Sequence, residues 1–271
     1  MPELPEVETT RRGINAHIND QKVATVIIRQ AKLRWPITEN MAQLLENKIL
    51  KTVARRGKYL LLEFEHGTAL IHLGMSGSIR ILDAASKEKK HDHFDIIFTN
   101  GKLLRYNDPR RFGAFIWAGS DPYQHKLLAK LGVEPLDDAF DSASIYKASR
   151  KKKIAIKQFI MDSHIVVGVG NIYANESLFL AGIHPLRQAN QISCQRYQQL
   201  VLVIKQVLQK AINNGGTTLK DFNQVDGKPG YFSQLLNVYG RAGQQCKVCQ
   251  QILVEIRLSG RSTVFCKVCQ R

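Results

Sequence analysis

The sequence contains no apolar run long enough to cross a bilayer, and its first residues lack the pattern of a signal peptide. We therefore expect no membrane partner and a cytoplasmic location. Five cysteines in 271 residues are too few for a disulfide scaffold, and no internal repeat is found. Because 44% of the residues are hydrophobic, the chain is long and apolar enough to fold around a sizeable core.

Acidic residues are scarce relative to basic ones. The chain has 23 Asp and Glu against 39 Lys and Arg, which gives a formal net charge of +16. An excess of this size favours a polyanionic partner, and nucleic acid is preferred over the competing choice, an anionic membrane surface. Binding through phosphate contacts should weaken steeply with salt, since each contact releases counterions.

The N-terminal residues Met1-Pro2-Glu3 are the most informative motif. A small second residue favours removal of Met1, which would leave the secondary amine of Pro2 at the N-terminus. An α-amino group has a pKa of roughly 7.7–8.0, against about 10.4 for a lysine, so far more of it is a free nucleophile at neutral pH. Its attack on a carbonyl-like carbon would give an iminium, with Glu3 placed to move protons. The alternative is that the segment only begins a helix, with Pro5 in its first turn.

Four of the cysteines lie close to the C-terminus with the spacing Cys246-x2-Cys249-x16-Cys266-x2-Cys269. This spacing predicts one structural Zn²⁺ held by four sulfurs, with no open position for catalysis. A redox role is disfavoured because the βαβ context of a thioredoxin-like motif is missing. Cys194 lies outside the cluster and is expected to be an ordinary thiol, either buried or in a helix-capping region.

Alternating apolar residues after Cys249, followed by Ser259-Gly260, predict a β-hairpin clamped by the zinc. Arg261 would lie at its tip, where it either contacts a phosphate or is solvated.

The first half of the chain has the pattern of an antiparallel β-sandwich or barrel, with one helix after Pro5 and another near 38–47. The later half is helical, and its segments 153–162 and 171–181 flank the turn-rich Val166–Gly170. That arrangement suits DNA binding or plain packing. Residues 217–234 predict a long polar loop. The predicted strands are 22–29, 58–65, 68–73, 78–82, 94–99, 102–106 and 112–117; the longest predicted helix is 193–213.

Two turns could present side chains to a base stack. The segment 107–113 offers Arg110 and Phe112, and the segment 72–77 offers Met75. A protein that extrudes a base from a duplex must fill the gap with apolar or planar groups. Ordinary turns with a core phenylalanine and a buried methionine are the alternatives.

Three further motifs are weighed individually. The run Arg150-Lys151-Lys152-Lys153 precedes a helix, where cations oppose the dipole, so a role facing phosphates is favoured. No third ligand accompanies His91-Asp92-His93, so no metal is expected there. Gly168-x-Gly170 lacks the strand and third glycine of a dinucleotide fold, so no nucleotide cofactor is expected.

Taken together, Pro2–Glu8, Asn107–Gly113, Val167–Ala174 and the four-cysteine tail resemble bacterial formamidopyrimidine-DNA glycosylase over the whole chain. Endonuclease VIII is a close relative that prefers oxidised pyrimidines and differs around Asn107–Gly113. The resemblance implies an α+β protein: a β-sandwich with an N-terminal helix (1–132), a helix-two-turn-helix domain (133–236) and a zinc finger (237–271). A DNA-binding zinc-finger protein without catalysis is the alternative from another class.

The same resemblance implies excision of oxidised purines from double-stranded DNA, followed by strand cleavage, by a monomeric enzyme. Pro2 would form the Schiff base and Glu3 would protonate the sugar. Lys58 and Arg261 would be the proton donors of the β- and δ-eliminations, and Glu6 lies in the active site without a single assigned role. The remaining matches are residues that fill the void (Met75, Arg110, Phe112), of which Arg110 would face the orphaned cytosine, and residues that contact DNA (His91, Lys152, Asn171).

The loop 217–234 would cover the damaged base. The chain departs from the family pattern at Gly260, where glutamine is usual, and at Gln250, where glycine is common. The first departure puts a supporting contact to Arg261 in doubt. The second requires a less relaxed backbone in the zinc knuckle, the turn that follows Cys249.

Overall fold

The computed structural model describes residues 2–217 and 232–271. The chain divides into two compact units, Met1–Ala129 with Asn214–Ser233, and Lys130–Asn213 with Gln234–Arg271. The three-domain division drawn from the sequence stays a prediction. The predicted loop 217–234 lies, for residues 218–231, outside the described part of the chain.

In its described residues, the first unit combines two helices with one antiparallel sheet of eight strands in the order β5-β7-β6-β1-β2-β3-β4-β8. Its elements are α1 (Leu4–Ile18), β1 (Gln21–Ile28), α2 (Met41–Leu45), β2 (Ile49–Arg56), β3 (Tyr59–Phe64), β4 (Gly67–His72), β5 (Ser78–Asp83), β6 (Asp92–Phe98), β7 (Lys102–Asn107) and β8 (Ala114–Trp117). All seven strands predicted from the sequence are found, and β2 is an eighth that was missed.

The sheet folds over on itself at the start of β1. This strand pairs with β2 only through Gln21 and Lys22 and then pairs with β6 from Val23 onward. The two halves face each other across the core, since Phe94 of β6 stacks on Phe115 of β8 with ring centroids 4.2 Å apart. The predicted antiparallel sandwich is therefore confirmed.

Helix α1 packs its apolar side on the sheet, and the buried acid Glu8 ties it there. Leu4, Val7, Ile14 and Ile18 are each at most 1% exposed. The Glu8 carboxylate accepts hydrogen bonds from Arg11 and Arg12 of the same helix and from Arg55 of β2. The ion cluster thus ties the helix to the sheet.

The Glu8 cluster should make the stability of the protein depend on pH. Burial alone would raise the pKa of Glu8, but the hydrogen bonds and charges of Arg11, Arg12 and Arg55 outweigh it and lower the pKa to about 2. The unfolded value is higher, so this contribution to stability is complete above pH ~4.5 and is lost as pH falls toward 2. Urea unfolding between pH 5 and 2.5 should show a smaller loss of stability in Glu8→Gln than in the unmodified protein. Equal pH dependence in both would contradict the assignment.

The second unit consists of four helices and a β-hairpin. Its elements are α3 (Ser142–Ser149), α4 (Ile156–Met161), α5 (Asn171–Leu180), α6 (Cys194–Asn213), β9 (Val254–Leu258) and β10 (Arg261–Phe265). Ser193 Oγ accepts the Arg196 N–H at 3.3 Å, which confirms the predicted start of α6. Helix α3 was missed from the sequence.

A buried glutamate joins helix α5 to the chain that enters the zinc finger. Glu176 is 2% exposed, and its carboxylate accepts the backbone N–H groups of Asn237, Val238 and Tyr239 at 2.8–2.9 Å.

Within the described residues, no helix of either unit combines the length and the apolarity needed to cross a membrane.

Candidate functional site

The predicted nucleophile and its neighbouring carboxylate lie at the first turn of α1. Pro2 is buried, Glu3 is 3% exposed and Glu6 is fully buried. Glu6 Oε2 accepts the N–H of Glu3 at 2.8 Å, and Glu6 Oε1 accepts the N–H of Thr217 at 2.8 Å. One carboxylate therefore fixes the peptide that follows Pro2 and joins it to a segment more than 200 residues away in sequence.

The backbone around Gly216 fits closely against this carboxylate. Gly216 has a φ of +79°, which favours glycine, and a Cβ added there would lie 3.2 Å from Glu6 Oε1. The close approach lets the neighbouring Thr217 N–H reach Glu6. The N-terminal site consequently includes Gly216 and Thr217, which the sequence alone did not associate with Pro2.

Lys58 follows Gly57 in the turn between β2 and β3, and its charge lowers the pKa of His72 at the end of β4. Burial lowers the pKa of His72 to about 4, and the cations of Lys58 and Arg34 act in the same direction. His72 is therefore neutral at physiological pH. Its Nδ1 accepts the N–H of Gly74 at 3.0 Å, which leaves the ring proton on Nε2.

The turns that carry Met75, Arg110 and Phe112 lie against each other. Met75 is 38% exposed and Phe112 41% exposed, and the Arg110 guanidinium carbon lies 4.9 Å from the centroid of the Phe112 ring. A Cβ at Gly74 would lie only 2.4 Å from the backbone carbon of Phe112. We call this group of two apposed turns, with its exposed Met75, Arg110 and Phe112, the wedge.

The wedge borders a groove with a volume of about 830 Å³. The groove is lined by Gln30, Lys32, Leu33, Arg34, His72, Gly74, Met75, Arg110, Arg111 and Phe112. Basic side chains in this lining are suited to an anionic ligand.

One buried carboxylate, Asp108, holds the two turns of the wedge together. Its Oδ1 accepts the Ser76 hydroxyl at 2.7 Å and the Arg110 N–H at 3.2 Å. Its Oδ2 accepts the Gly113 N–H at 2.9 Å and the Tyr106 hydroxyl at 3.1 Å. Burial raises the pKa of Tyr106, and the charge of Asp108 adds to this effect, so the phenol stays a donor. Sequence reasoning missed Asp108 as a functional residue.

The motif His91-Asp92-His93 does not bring its three side chains to one point. Asp92 pairs with Arg80, while His93 Nε2 bonds the backbone oxygen of Asp108 at 2.7 Å. His91 has a φ of +71° and accepts the Asp108 N–H through its carbonyl, which leaves its half-buried ring beside the wedge turn.

Two predicted DNA-contacting residues belong to the second unit. Lys152 is exposed, and Asn171 is the first residue of α5, whose N-terminal amides suit a phosphate. The side-chain oxygen of Asn171 is buried and has no hydrogen-bond partner among residues 2–217 and 232–271.

Arg150 begins the basic run 150–153 and contacts other residues of the second unit. Its guanidinium stacks 3.9 Å from the Tyr146 ring centroid and donates to the carbonyl oxygens of Ala189, Asn190 and Ile192. These contacts tie the Arg150 guanidinium to partners within the second unit, and the phosphate-facing role of the run 150–153 stays a prediction.

The four cysteine sulfurs form a compact cluster within 4.8 Å of one another. Cys249 Sγ lies 3.4 Å from Cys266 Sγ, and Cys246 Sγ lies 3.9 Å from Cys269 Sγ. A tetrahedron of Zn–S bonds has edges of about 3.8 Å, so the cluster fits one structural zinc. Cys194, by contrast, is an exposed thiol at the first turn of α6.

The zinc clamps the predicted hairpin, and its tip carries Arg261. The turn residues Ser259 and Gly260 have φ values of +49° and +74°, and Arg261 is the first, exposed residue of β10. Gln250 has a φ of +65°, so the knuckle there adopts the left-handed conformation that glycine would reach without strain.

Three family models match the chain in sequence order. They are described as the formamidopyrimidine-DNA glycosylase N-terminal domain over residues 1–115, the formamidopyrimidine-DNA glycosylase H2TH domain over 131–223, and a zinc finger found in FPG and IleRS over 243–271.

Several curated and solved proteins are similar over their full length. Formamidopyrimidine-DNA glycosylases of Cellvibrio japonicus and Shewanella halifaxensis are 58% and 53% identical over 271 residues, with all of each chain covered. A Lactococcus lactis FPG mutant bound to a Fapy-dG containing DNA has 34% identity and a TM-score of 0.93, with both chains covered completely. The wild-type Lactococcus lactis protein bound to an oxidized pyrimidine containing DNA has 34% identity and a TM-score of 0.92, again over both whole chains.

Proposed function

The chain belongs to the formamidopyrimidine-DNA glycosylase family, and from this premise we propose how its own residues carry out base excision. The protein is a DNA glycosylase and AP lyase that removes oxidised purines from damaged duplex DNA. The observation that carries the mechanism is the pair Pro2 and Glu3, buried at the start of α1 and fixed there by Glu6.

Pro2 is the proposed nucleophile of the first step. After loss of Met1, its nitrogen forms a bond to C1′ of the damaged nucleotide while the bond from C1′ to the base breaks. The base leaves with the electron pair, and the proton lost from the Pro2 nitrogen neutralises it. Protonated Glu3 then donates a proton to the ring oxygen O4′ as the C1′–O4′ bond breaks and the nitrogen lone pair forms the C1′=N⁺ bond, which gives the iminium of a Schiff base. Because the proline nitrogen then has no proton to lose, the iminium stays cationic.

Lys58 and Arg261 are proposed to assist strand cleavage, as the proton donors of the β- and δ-eliminations. Lys58 lies in the N-terminal unit near His72, which is neutral and does not add a competing positive charge. Arg261 lies at the zinc-clamped hairpin tip, where a guanidinium is complementary to a phosphate.

The wedge is proposed to occupy the space left by the extruded base, with Arg110 facing the orphaned cytosine. Exposed Met75 and Phe112 supply apolar surface, and Arg110 stacked on Phe112 supplies a planar donor. His91, Lys152 and Asn171 would bind the flanking phosphates, and the loop 217–234 would cover the base. The excess of positive charge supports binding along chromosomal DNA, and we propose that the protein acts there as a monomer in the bacterial cytoplasm.

Borohydride trapping tests the mechanism and the specificity together. One duplex carries 8-oxoguanine opposite cytosine and the other carries an oxidised pyrimidine, a lesion class found with the Lactococcus lactis protein. We expect a strong reduced adduct, mapped to Pro2 by mass spectrometry, on the first duplex and a weak one on the second. An adduct at another residue would overturn the role of Pro2, and preference for the pyrimidine would overturn the specificity.

Asp108→Asn should slow base excision more than cleavage at an abasic site. The amide nitrogen of the variant would face two hydrogen-bond donors. Leaving a buried donor unpaired costs about 1–3 kcal/mol, and the excision rate falls by roughly 5–150-fold if this whole penalty destabilises the wedge when it fills the gap in the duplex. An abasic site has no base to extrude, so its cleavage should change little. Single-turnover rates on the two substrates measure the difference.

The matched control is Asp141→Asn. Asp141 caps α3, where its carboxylate also accepts two backbone N–H groups at 2.9 Å, and it belongs to none of the candidate sites. Equal slowing of both substrates by Asp108→Asn would contradict a specific effect on the wedge.

A further inference from the structure

Helix α4 is hydrogen-bonded to the hairpin on both sides of Arg261. Gln158 Nε2 donates to the Ser259 hydroxyl at 2.6 Å. The ammonium group of Lys157 donates to the backbone oxygen of Ser262 at 2.8 Å and to Thr263 Oγ1 at 2.7 Å. Two consecutive helical residues thus contact the chain two residues before Arg261 and one and two residues after it.

The two contacts differ in character. Lys157 is only 2% exposed, and a buried ammonium needs polar partners, so its bonds fix the body of β10 to the helix. The bond from Gln158 to Ser259 is exposed and lies at the tip itself. A pocket of about 180 Å³ between α4 and the tip is lined by both residues, together with Met161, Asp162, Leu258, Ser259 and Arg261. The tip is therefore not packed tightly against α4, and the hydrogen bond from Gln158 to Ser259 holds it beside this pocket.

Gly260 gives the tip no side-chain support of its own. It has a φ of +74°, and a Cβ built at this position would meet nothing within 4 Å. Glycine is also the residue with the greatest backbone freedom, so the tip needs an external contact to hold Arg261 in one place.

We propose that Gln158 and Lys157 are positioning residues for Arg261, and that the contact from Gln158 to Ser259 takes the place of a side chain at position 260. This inference rests on the proposed role of Arg261 in the second elimination. In that step the sugar remnant loses its C4′ proton, the C5′–O bond breaks, and the 5′ phosphate leaves with the electron pair. The electrons from the C–H bond extend the conjugated iminium. A displacement of Arg261 should slow this step alone.

The ratio of δ- to β-elimination products on a duplex with an abasic site is the decisive measurement. We expect Gln158→Ala to lower the ratio by about two- to tenfold, the range for one lost hydrogen bond. The β-elimination rate and the borohydride adduct should not change, because both precede the step at Arg261. Ser259→Ala should have the same effect, and the double variant should be no worse than either single one.

Three further variants separate positioning from a general structural effect. Gln209→Ala removes a comparable exposed bond, from Gln209 Nε2 to Asn213 Oδ1 at 2.9 Å on α6, and should leave the product ratio unchanged. Gly260→Gln, added to Gln158→Ala, should restore the ratio toward that of the unmodified protein. Lys157→Met removes the donor to two hairpin oxygens, so its zinc content is measured first, and only a zinc-loaded variant is compared.

Each outcome has a distinct meaning. If Arg261→Ala removes the δ product but Gln158→Ala and Ser259→Ala leave the ratio unchanged, the positioning inference is wrong and the proposed role of Arg261 stands. If Arg261→Ala retains the δ product, the proposed role of Arg261 is wrong. If Gln158→Ala slows both eliminations equally, the contact is structural and the inference fails.

Discussion

Replacing Pro2 with leucine is expected to abolish base excision and the borohydride adduct while duplex binding stays nearly unchanged. A bulky second residue should retain Met1, so the terminal amine moves one residue away from Glu3 and becomes primary. Removing a nucleophile from an enzyme lowers kcat by at least roughly 10³-fold, whereas the phosphate contacts that dominate DNA affinity remain. Single-turnover excision of 8-oxoguanine and binding to the same duplex measure the two effects separately.

Pro2→Ala is the informative companion to this variant. Alanine is small enough for Met1 to be removed, so an amine stays at the same position but is now primary. Its iminium can lose the N–H proton and become a neutral imine, which is a weaker electron sink. We expect a borohydride adduct at the new N-terminal amine only in low yield, together with slower cleavage. Excision by Pro2→Leu close to the rate of the unmodified protein would contradict nucleophilic catalysis by Pro2.

The parts of the fold that follow local rules could be predicted from the sequence. Strands such as β3 and β6 combine aromatic and aliphatic residues between turn residues, and the zinc ligands lie in two short motifs. The hairpin between the knuckles follows from its alternating pattern. In each case neighbouring residues determine the structure, so the sequence contains the necessary information.

The missed elements have weak local patterns. Strand β2 buries Leu50 and Val53, but Lys51, Arg55 and Arg56 dilute its apolar character. Helix α3 is a single short segment of small and polar residues whose start depends on the Asp141 carboxylate. Helix α3 packs mainly on α6, which is distant in sequence, whereas β2 pairs over most of its length with β3, the next strand along the chain.

The organisation of the site depends on contacts that no local pattern predicts. Glu6 joins Glu3 to Thr217, and Asp108 joins Ser76 to the turn that carries Arg110. A reacting group can be recognised from its side-chain chemistry. The acids that position such groups accept mainly backbone N–H groups, which nearly every residue has, so the sequence does not reveal their partners. Glu6 and Asp108 are buried carboxylates of this kind, and each fixes a segment of the candidate site.

Cys266→Ser is expected to release the zinc and unfold the hairpin that carries Arg261. The core beneath the finger is small, with Phe179, Val238, Leu253 and Val264 as its buried apolar residues other than cysteine. Binding of a structural zinc contributes about 10–16 kcal/mol in isolated fingers, far more than such a core can replace. We expect less than one zinc per chain, proteolysis within 237–271, weaker DNA binding and loss of the δ-elimination product.

Cys194→Ser is the matched control, because it makes the same substitution at an exposed thiol outside the cluster. It should retain one zinc per chain and normal cleavage. In the Cys266→Ser protein, the core of the N-terminal sandwich contains no residue of the finger, so its thermal unfolding should persist as a separate transition. If Cys266→Ser kept its zinc and its full δ-elimination activity, the fourth sulfur would be dispensable, and the hairpin would have to be held by Lys157 and Asn175 of α4 and α5 instead.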